Sequence, residues 1–214
     1  MPAYQSIYSG RIQMTSRHFG DTTYDALFPK AAEQMLYGEQ VGWFGVHHLT
    51  ANPAFRVFVK KLAHTRRAFL PFFNEGDMLK PAAFAEPAPT VTADWGFYGP
   101  RIITTPALLH SAWRVGGQVA VLFANTSCEP VTVRIQAPAP AWGLAGDGVR
   151  RVEFQEGIAA TATDGALNPP ISITVPGYSL HTWLFDDGTA APERRAVQDD
   201  TVAAMFQALR RFDD

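Results

Sequence analysis

The sequence predicts two kinds of structure in succession, an α/β segment followed by an all-β one, and three observations carry that prediction. The stretch GEQVGWFGVHHLTANPAFRVFVKKLAHTRRAFLPFFNEGDML, Gly38 to Leu79, reads as a short strand, a turn, an amphipathic helix and a Gly-Asp stop. Beyond it, KPAAFAEPAPT is rich in prolines, which oppose helix and sheet alike, so it reads as a linker or extended crossing. After that, short apolar runs alternate with polar residues and turn signals, with no helical period between them.

Taken in order, Ala3 to Ser9 alternates, with Tyr4, Ser6 and Tyr8 on one face and Gln5 and Ile7 on the other, and predicts a strand. Gly10 to Gly20 is a polar loop holding Arg11, Arg17 and His18. Asp21 or Thr22 caps a helix running to about Tyr37, with Leu27, Ala31, Met35 and Leu36 apolar. Pro29 inside that pattern predicts a kink or a fresh start. Val41, Trp43 and Phe44, set between Gly42 and Gly45, make a run too short for a helix and predict a second strand. Asn52 offers an N-cap with Pro53 at the first helical position, where its missing N–H costs nothing. Phe55, Phe58, Val59, Leu62, Phe69 and Phe73 then share one face, while Lys60, Lys61, His64 and Arg67 lie off it. Asn74-Glu75-Gly76 ends the helix, with Gly76 expected as a left-handed cap. The first 79 residues thus read as two βα units, and a strand feeding a helix is half of a βαβ unit.

Strands are then predicted at Val91–Trp95, Arg101–Thr104, Leu108–Val115 and Gln118–Asn125, the last two joined by Gly116-Gly117, a favoured two-residue hairpin turn. Further strands run through Val131–Ile135, Val152–Phe154, Ile171–Val175 and Tyr178–Phe185. Such spacing without helices predicts an antiparallel sandwich. Past a polar stretch from Gly188, Val202, Met205, Phe206, Leu209 and Phe212 describe a terminal amphipathic helix.

Composition excludes several classes. A formal net charge of −2 leaves no electrostatic footprint for nucleic acid or an anionic membrane. Cys128 is the only cysteine, so neither an internal disulfide nor a thiolate metal site is expected, and no cofactor signature is found. No apolar run approaches the roughly 20 residues of a membrane span, and MPAYQSIYSG lacks the pattern of a signal peptide. Nothing here indicates a compartment. The 15 Phe and 5 Trp point to extensive packed surfaces.

PAYQSIYSG, GEQVGWFG, the helix end RRAFLPFFNEGDMLKP and the opening LLHSAWRVGGQVAVLFANTSCEPVTVRI together resemble the C-terminal part of glycoside-hydrolase-type proteins of the α-galactosidase-like and α-amylase-like kind. Those carry a (β/α)8 barrel followed by a small β-sandwich. The resemblance implies that Tyr4–Ser9 and Val41–Phe44 are the seventh and eighth strands, the last two βα units of a TIM-type barrel. It divides the chain into residues 1–84 at the barrel end, a sandwich at 85–187, and a linker with a helix at 188–214. Its implied partners are a carbohydrate substrate, bound through the parent protein, and an N-terminal barrel portion. The two catalytic carboxyl groups of such enzymes stand about 5 Å or about 6.5–9.5 Å apart on middle barrel strands, and no position here matches them. The resemblance therefore implies a chain that is not catalytic alone, a piece of a larger protein. The alternative is a free-standing, non-catalytic sandwich that binds glycan or protein.

Substrate-contact candidates follow from the C-terminal strand ends, where barrel enzymes build their sites. They are Tyr8, Arg11 and His18 after the first strand, and His47 and His48 after the second. As strand neighbours, His47 and His48 would point to opposite faces and could not easily share a metal; no metal site is predicted. Among the acids, Asp21 and Asp25 serve a helix N-terminus, and Glu75 and Asp77 belong to a helix stop. His110 and His181 read as core or rim residues beside Trp113 and Trp183. Trp95, Phe97 and Tyr98 form an aromatic group able to stack on a sugar or to fix an interface. Asn125-Thr126-Ser127 matches the glycosylation acceptor pattern and equally makes an ordinary turn.

Overall fold

A computed structural model describes residues 7, 19, 23–42, 44–96, 98–136, 139–144, 149–155, 161–164 and 170–189. It combines helices with antiparallel sheets. Among the described residues, the helices with defined bounds that precede the sheets are α1 (Tyr24–Leu36), α2 (Val46–Ala51), α3 (Pro53–Ala68) and α4 (Leu70–Glu75). Eleven strands follow among the described residues: β1 (Asp77–Leu79), β2 (Ala83–Phe84), β3 (Thr90–Asp94), β4 (Ile102–Pro106), β5 (Leu108–Val115), β6 (Gln118–Asn125), β7 (Val131–Gln136), β8 (Arg150–Gln155), β9 (Thr161–Asp164), β10 (Ile171–Val175) and β11 (Leu180–Asp186).

The central layer is a six-stranded sheet in the order β1-β5-β6-β11-β8-β9, faced by a three-stranded sheet, β10-β7-β2; β3 and β4 form a separate hairpin. The pleat sorts each strand's residues between two cores. Val119, Val121 and Phe123 join Trp183, Phe185 and Ile173 between the sheets. Ala120, Leu122 and Ala124, with Val152, Phe154 and Leu184, turn the other way onto Phe55, Phe58, Leu62 and Phe69 of the helical segment. β6 and β11 are therefore buried along their whole length. A half-exposed sheet keeps a polar outer face; here helices cover it.

Several local expectations are met. Asn52 caps α3, its side chain accepting the Phe55 N–H at 3.0 Å, and Pro53 opens the helix. Gly116-Gly117 connects β5 and β6 with Val115 opposite Gln118. Gly38 ends α1 at φ 77, its N–H donating to the Met35 carbonyl, and a side chain there would press on the Trp113 ring. That ring's Nε1–H donates to the Leu36 carbonyl at 3.0 Å, fixing the end of α1 to the sheet.

Other expectations are corrected. Ile7, the described residue of the first predicted strand, is helical and 65% exposed. The rest of that predicted strand lies outside the described residues. Val41, Gly42 and Phe44 form no ladder. The Gly42 N–H donates instead to Gln34 Oε1, and the Phe44 ring packs edge-on against Phe19 and Phe55 at 5.4 and 5.7 Å. An apolar run of this length serves a buried connection as well as a strand, and here packing decided. α1 continues through Pro29, which is buried on its inner face. The long second helix breaks at Phe69, because Pro71 has no N–H to continue the ladder. Gly76 is extended at φ −88 rather than left-handed; a Cβ there would overlap the Phe72 carbonyl oxygen and come within 2.9 Å of that of Arg114.

The Pro-rich crossing carries short pairings of its own. β1 pairs with β5 and β2 with β7, so both sheets begin before residue 85. The helical layer and the sandwich are also tied at the β10–β11 turn. Tyr178, at φ 48, stacks on Phe28 with centroids 3.9 Å apart. Lys61 Nζ donates to the Tyr178 carbonyl at 3.3 Å and to Ser179 Oγ at 3.1 Å. The predicted terminal helix lies outside the described residues.

Candidate functional site

Of the predicted contact residues, Tyr8, Arg11 and His18 lie outside the described residues. His47 and His48 sit in α2, not at a strand end. Neighbours on a helix turn by about 100° rather than 180°, so the two rings adjoin, with centroids 4.1 Å apart. His48 is buried, its Nδ1 accepting the Gly45 N–H at 3.1 Å, and its ring stands 6.4 Å from that of Phe19. That bond fixes it as a helix-start residue; His47 beside it is exposed.

The other singled-out residues separate clearly. Asp77 meets Arg114 at 3.5 Å on the surface. His110 is enclosed between Phe84 and Phe123, and its Nε2–H donates to the Ala82 carbonyl at 2.7 Å. Burial pushes its imidazole below the ordinary value of 6.5, so it stays neutral. Asn125 cannot serve as a glycosylation acceptor in this fold. It is fully buried, and its Nδ2 donates to the carbonyls of Glu129, Val175 and Pro176. Tyr98 is 94% exposed at the tip of the β3–β4 hairpin, whereas Trp95 is half-buried beneath Lys30. Among the described residues no group of three or more His, Cys, Asp or Glu side chains could hold a metal ion.

A polar group lies on β8 and β11, which pair antiparallel with Trp183 opposite Glu153. Arg151 Nη2 donates to Glu153 Oε1 at 2.8 Å, and His181 Nε2 stands 3.3 Å from Glu153 Oε2, an ion-pair contact off hydrogen-bond geometry. The Arg151 guanidinium also covers the Trp183 ring, 5.4 Å from its centroid. The adjacent His181 imidazole, and then the Arg151 charge, hold the Glu153 carboxyl below the usual range against its partial burial. The carboxylate is therefore ionised, a fixed acceptor among donors.

The sequence contained this group without marking it. Arg151 and Glu153 alternate with Val152 and Phe154, the pattern of a strand with one solvent face, and His181 beside Trp183 reads as core. Only the pairing of β8 with β11 sets the four side chains together. The usable signal was a histidine in an apolar strand, which requires a polar neighbour when buried.

No protein-family model and no curated protein matches the sequence. Solved structures similar to the chain include a family 30 glycoside hydrolase endoxylanase from Clostridium papyrosolvens, with 16% identity and a TM-score of 0.43, matching 87% of this chain and 45% of that one. A family 30, subfamily 8 xylanase from Clostridium acetobutylicum matches at 14% identity and a TM-score of 0.41, over 82% of this chain and 42% of its own. An α-amylase from Geobacillus thermoleovorans matches at 11% identity and a TM-score of 0.37, over 64% and 24%. The chain spans less than half the length of each of these proteins.

Proposed function

We propose that this chain is the C-terminal portion of a carbohydrate-active, glycoside-hydrolase-like protein and is not catalytic alone. The observation that carries the reading is the outer face of the six-stranded sheet, whose Leu122, Phe154 and Leu184 share one core with Phe55, Phe58 and Phe69 of the helices. A sandwich joined to its neighbouring helices by a continuous apolar core, and not by a loose linker, suits a domain built to complete a larger body. The quoted sequence resemblance supports the same layout. On this reading the segment to about residue 84 stands at the barrel end through its helices, residues 85–187 form the accessory sandwich, and 188–214 follow as a tail. His47, exposed on α2, and Tyr8, Arg11 and His18 would border the carbohydrate cleft of the parent protein.

The test is the mass of the native polypeptide, detected by immunoblot with an antibody against the sandwich. A band well above 23.5 kDa supports the reading and directs the search for catalytic carboxylates to the additional chain. A band at that mass overturns it. One observation favours a second reading, a non-catalytic sandwich that binds glycan or protein: the donor-rich group on β8 and β11 lies wholly within the sandwich.

A further inference from the structure

Among the described residues, β3 and β4 make a two-stranded sheet of their own, joined to neither of the larger ones. Its β3 side is occupied. The Asp94 carbonyl accepts from Thr23 Oγ1 at 3.1 Å and the Trp95 carbonyl from Lys30 Nζ at 3.1 Å, so α1 and its cap stand along that strand. The β4 side faces solvent: Ile102 is 67% exposed, and Thr104 and Pro106 are exposed as well. The hydrogen-bond phase of the hairpin fixes which groups point that way. The Trp95 N–H donates to the Arg101 carbonyl and the Ala107 N–H to the Pro89 carbonyl. With Ile103 opposite Ala93, the odd-numbered residues of β4 therefore bond inward to β3. In an antiparallel pair the residues between them turn their N–H and C=O outward; on β4 these are Ile102 and Thr104. The next position of the same parity on each side is a proline, Pro100 and Pro106, which has no N–H.

No charged side chain lies within Ile102–Pro106, whereas an open edge normally carries charge that prevents pairing. The edge is symmetric about Ile103, with an outward donor one residue away on each side and a proline three residues away on each side. Such a pattern matches itself. Laid antiparallel on a second copy with Ile103 facing its own counterpart, Ile102 of each copy meets Thr104 of the other. Every outward N–H and C=O of those residues is then bonded. A shift of two residues in either direction sets a proline opposite Ile102 or Thr104 and leaves that residue's carbonyl without a donor. In the symmetric register Arg101 falls opposite Thr105, so the two arginines stand at opposite ends of the contact. The facing Ile103 side chains form a close cross-strand β-branched pair.

We propose that the β4 edge is a contact between two copies of this chain, which join their hairpins through Ile102–Thr104 into one four-stranded antiparallel sheet. The contact is short, so the association is reversible and depends on concentration. It rests on the hairpin and not on the carbohydrate reading.

The experiment is light scattering on gel filtration of the full chain over a range of concentrations. The expected mass rises from 23.5 kDa toward twice that value. Thr104→Pro removes one outward N–H per copy, leaves the β3–β4 ladder intact, and raises the dissociation constant about tenfold, the worth of two hydrogen bonds. Register is read in a Cys128→Ser background, which removes the native exposed thiol. With oxidised glutathione, Ile103→Cys is expected to give a disulfide-linked dimer because the two positions face each other. Thr104→Cys, opposite Ile102, lies beyond disulfide reach of its counterpart and stays monomeric on a denaturing gel. A mass fixed at that of one chain at every concentration, a dimer unchanged by Thr104→Pro, or equal crosslinking of the two cysteine variants each overturns the proposal. The immunoblot reads the length of the denatured chain, so the two readings fail separately.

Discussion

At the scale of single residues, close approach and burial decide most of what can be varied. Gly76 follows α4 with ordinary extended torsions, so its requirement is space: a methyl group would enter between the Phe72 and Arg114 carbonyls. Gly76→Ala is expected to destabilise the chain by about 1–3 kcal/mol, read from urea unfolding; an unchanged midpoint would show that the backbone yields there. His110 is held neutral below its ordinary value of 6.5. As pH falls, the unfolded chain takes up that proton before the folded chain does, so stability declines below that value. Thermal midpoints taken between about pH 7.5 and 5 should fall, and His110→Gln should flatten the slope while keeping a donor toward the Ala82 carbonyl. A slope identical in the variant would assign the effect to another group.

At the scale of elements, caps and turns were legible because their chemistry is local. Asn52-Pro53 and Gly116-Gly117 each satisfy or position the backbone with their own atoms, and both appear where the sequence puts them. Asn52→Ala should cost about 1 kcal/mol by stranding the Phe55 N–H, seen as a lower thermal midpoint. Asn52→Asp should restore most of it; equal loss in both variants would place the role of Asn52 outside capping. The strand expected at Val41–Phe44 failed for the complementary reason. A strand's hydrogen bonds belong partly to its neighbour, and neither Val41 nor Phe44 has one among the described residues. β1, β2 and β9 were missed in the same way, since two to four residues become strands only where a partner edge receives them.

At the scale of the whole molecule, the central sheet has two apolar faces, so neither the helices nor the small sheet is optional. A polypeptide starting at residue 77 should expose the face carrying Leu122, Phe154 and Leu184 and self-associate. Gel filtration with a hydrophobic dye checks this. A monomer that binds no dye would mean the helical layer is dispensable to the sandwich. The sequence by itself determined the positions of β5, β6, β7, β8, β10 and β11 and the start of α3. Each of these is written in local period or cap chemistry. The tertiary structure alone decided that helices cover the outer face of the sheet, that Asn125 is internal, and that Arg151, Glu153, His181 and Trp183 meet. Alternation shows that a strand has two faces; which face meets water, and which distant strand lies alongside, depends on contacts between residues far apart in the chain.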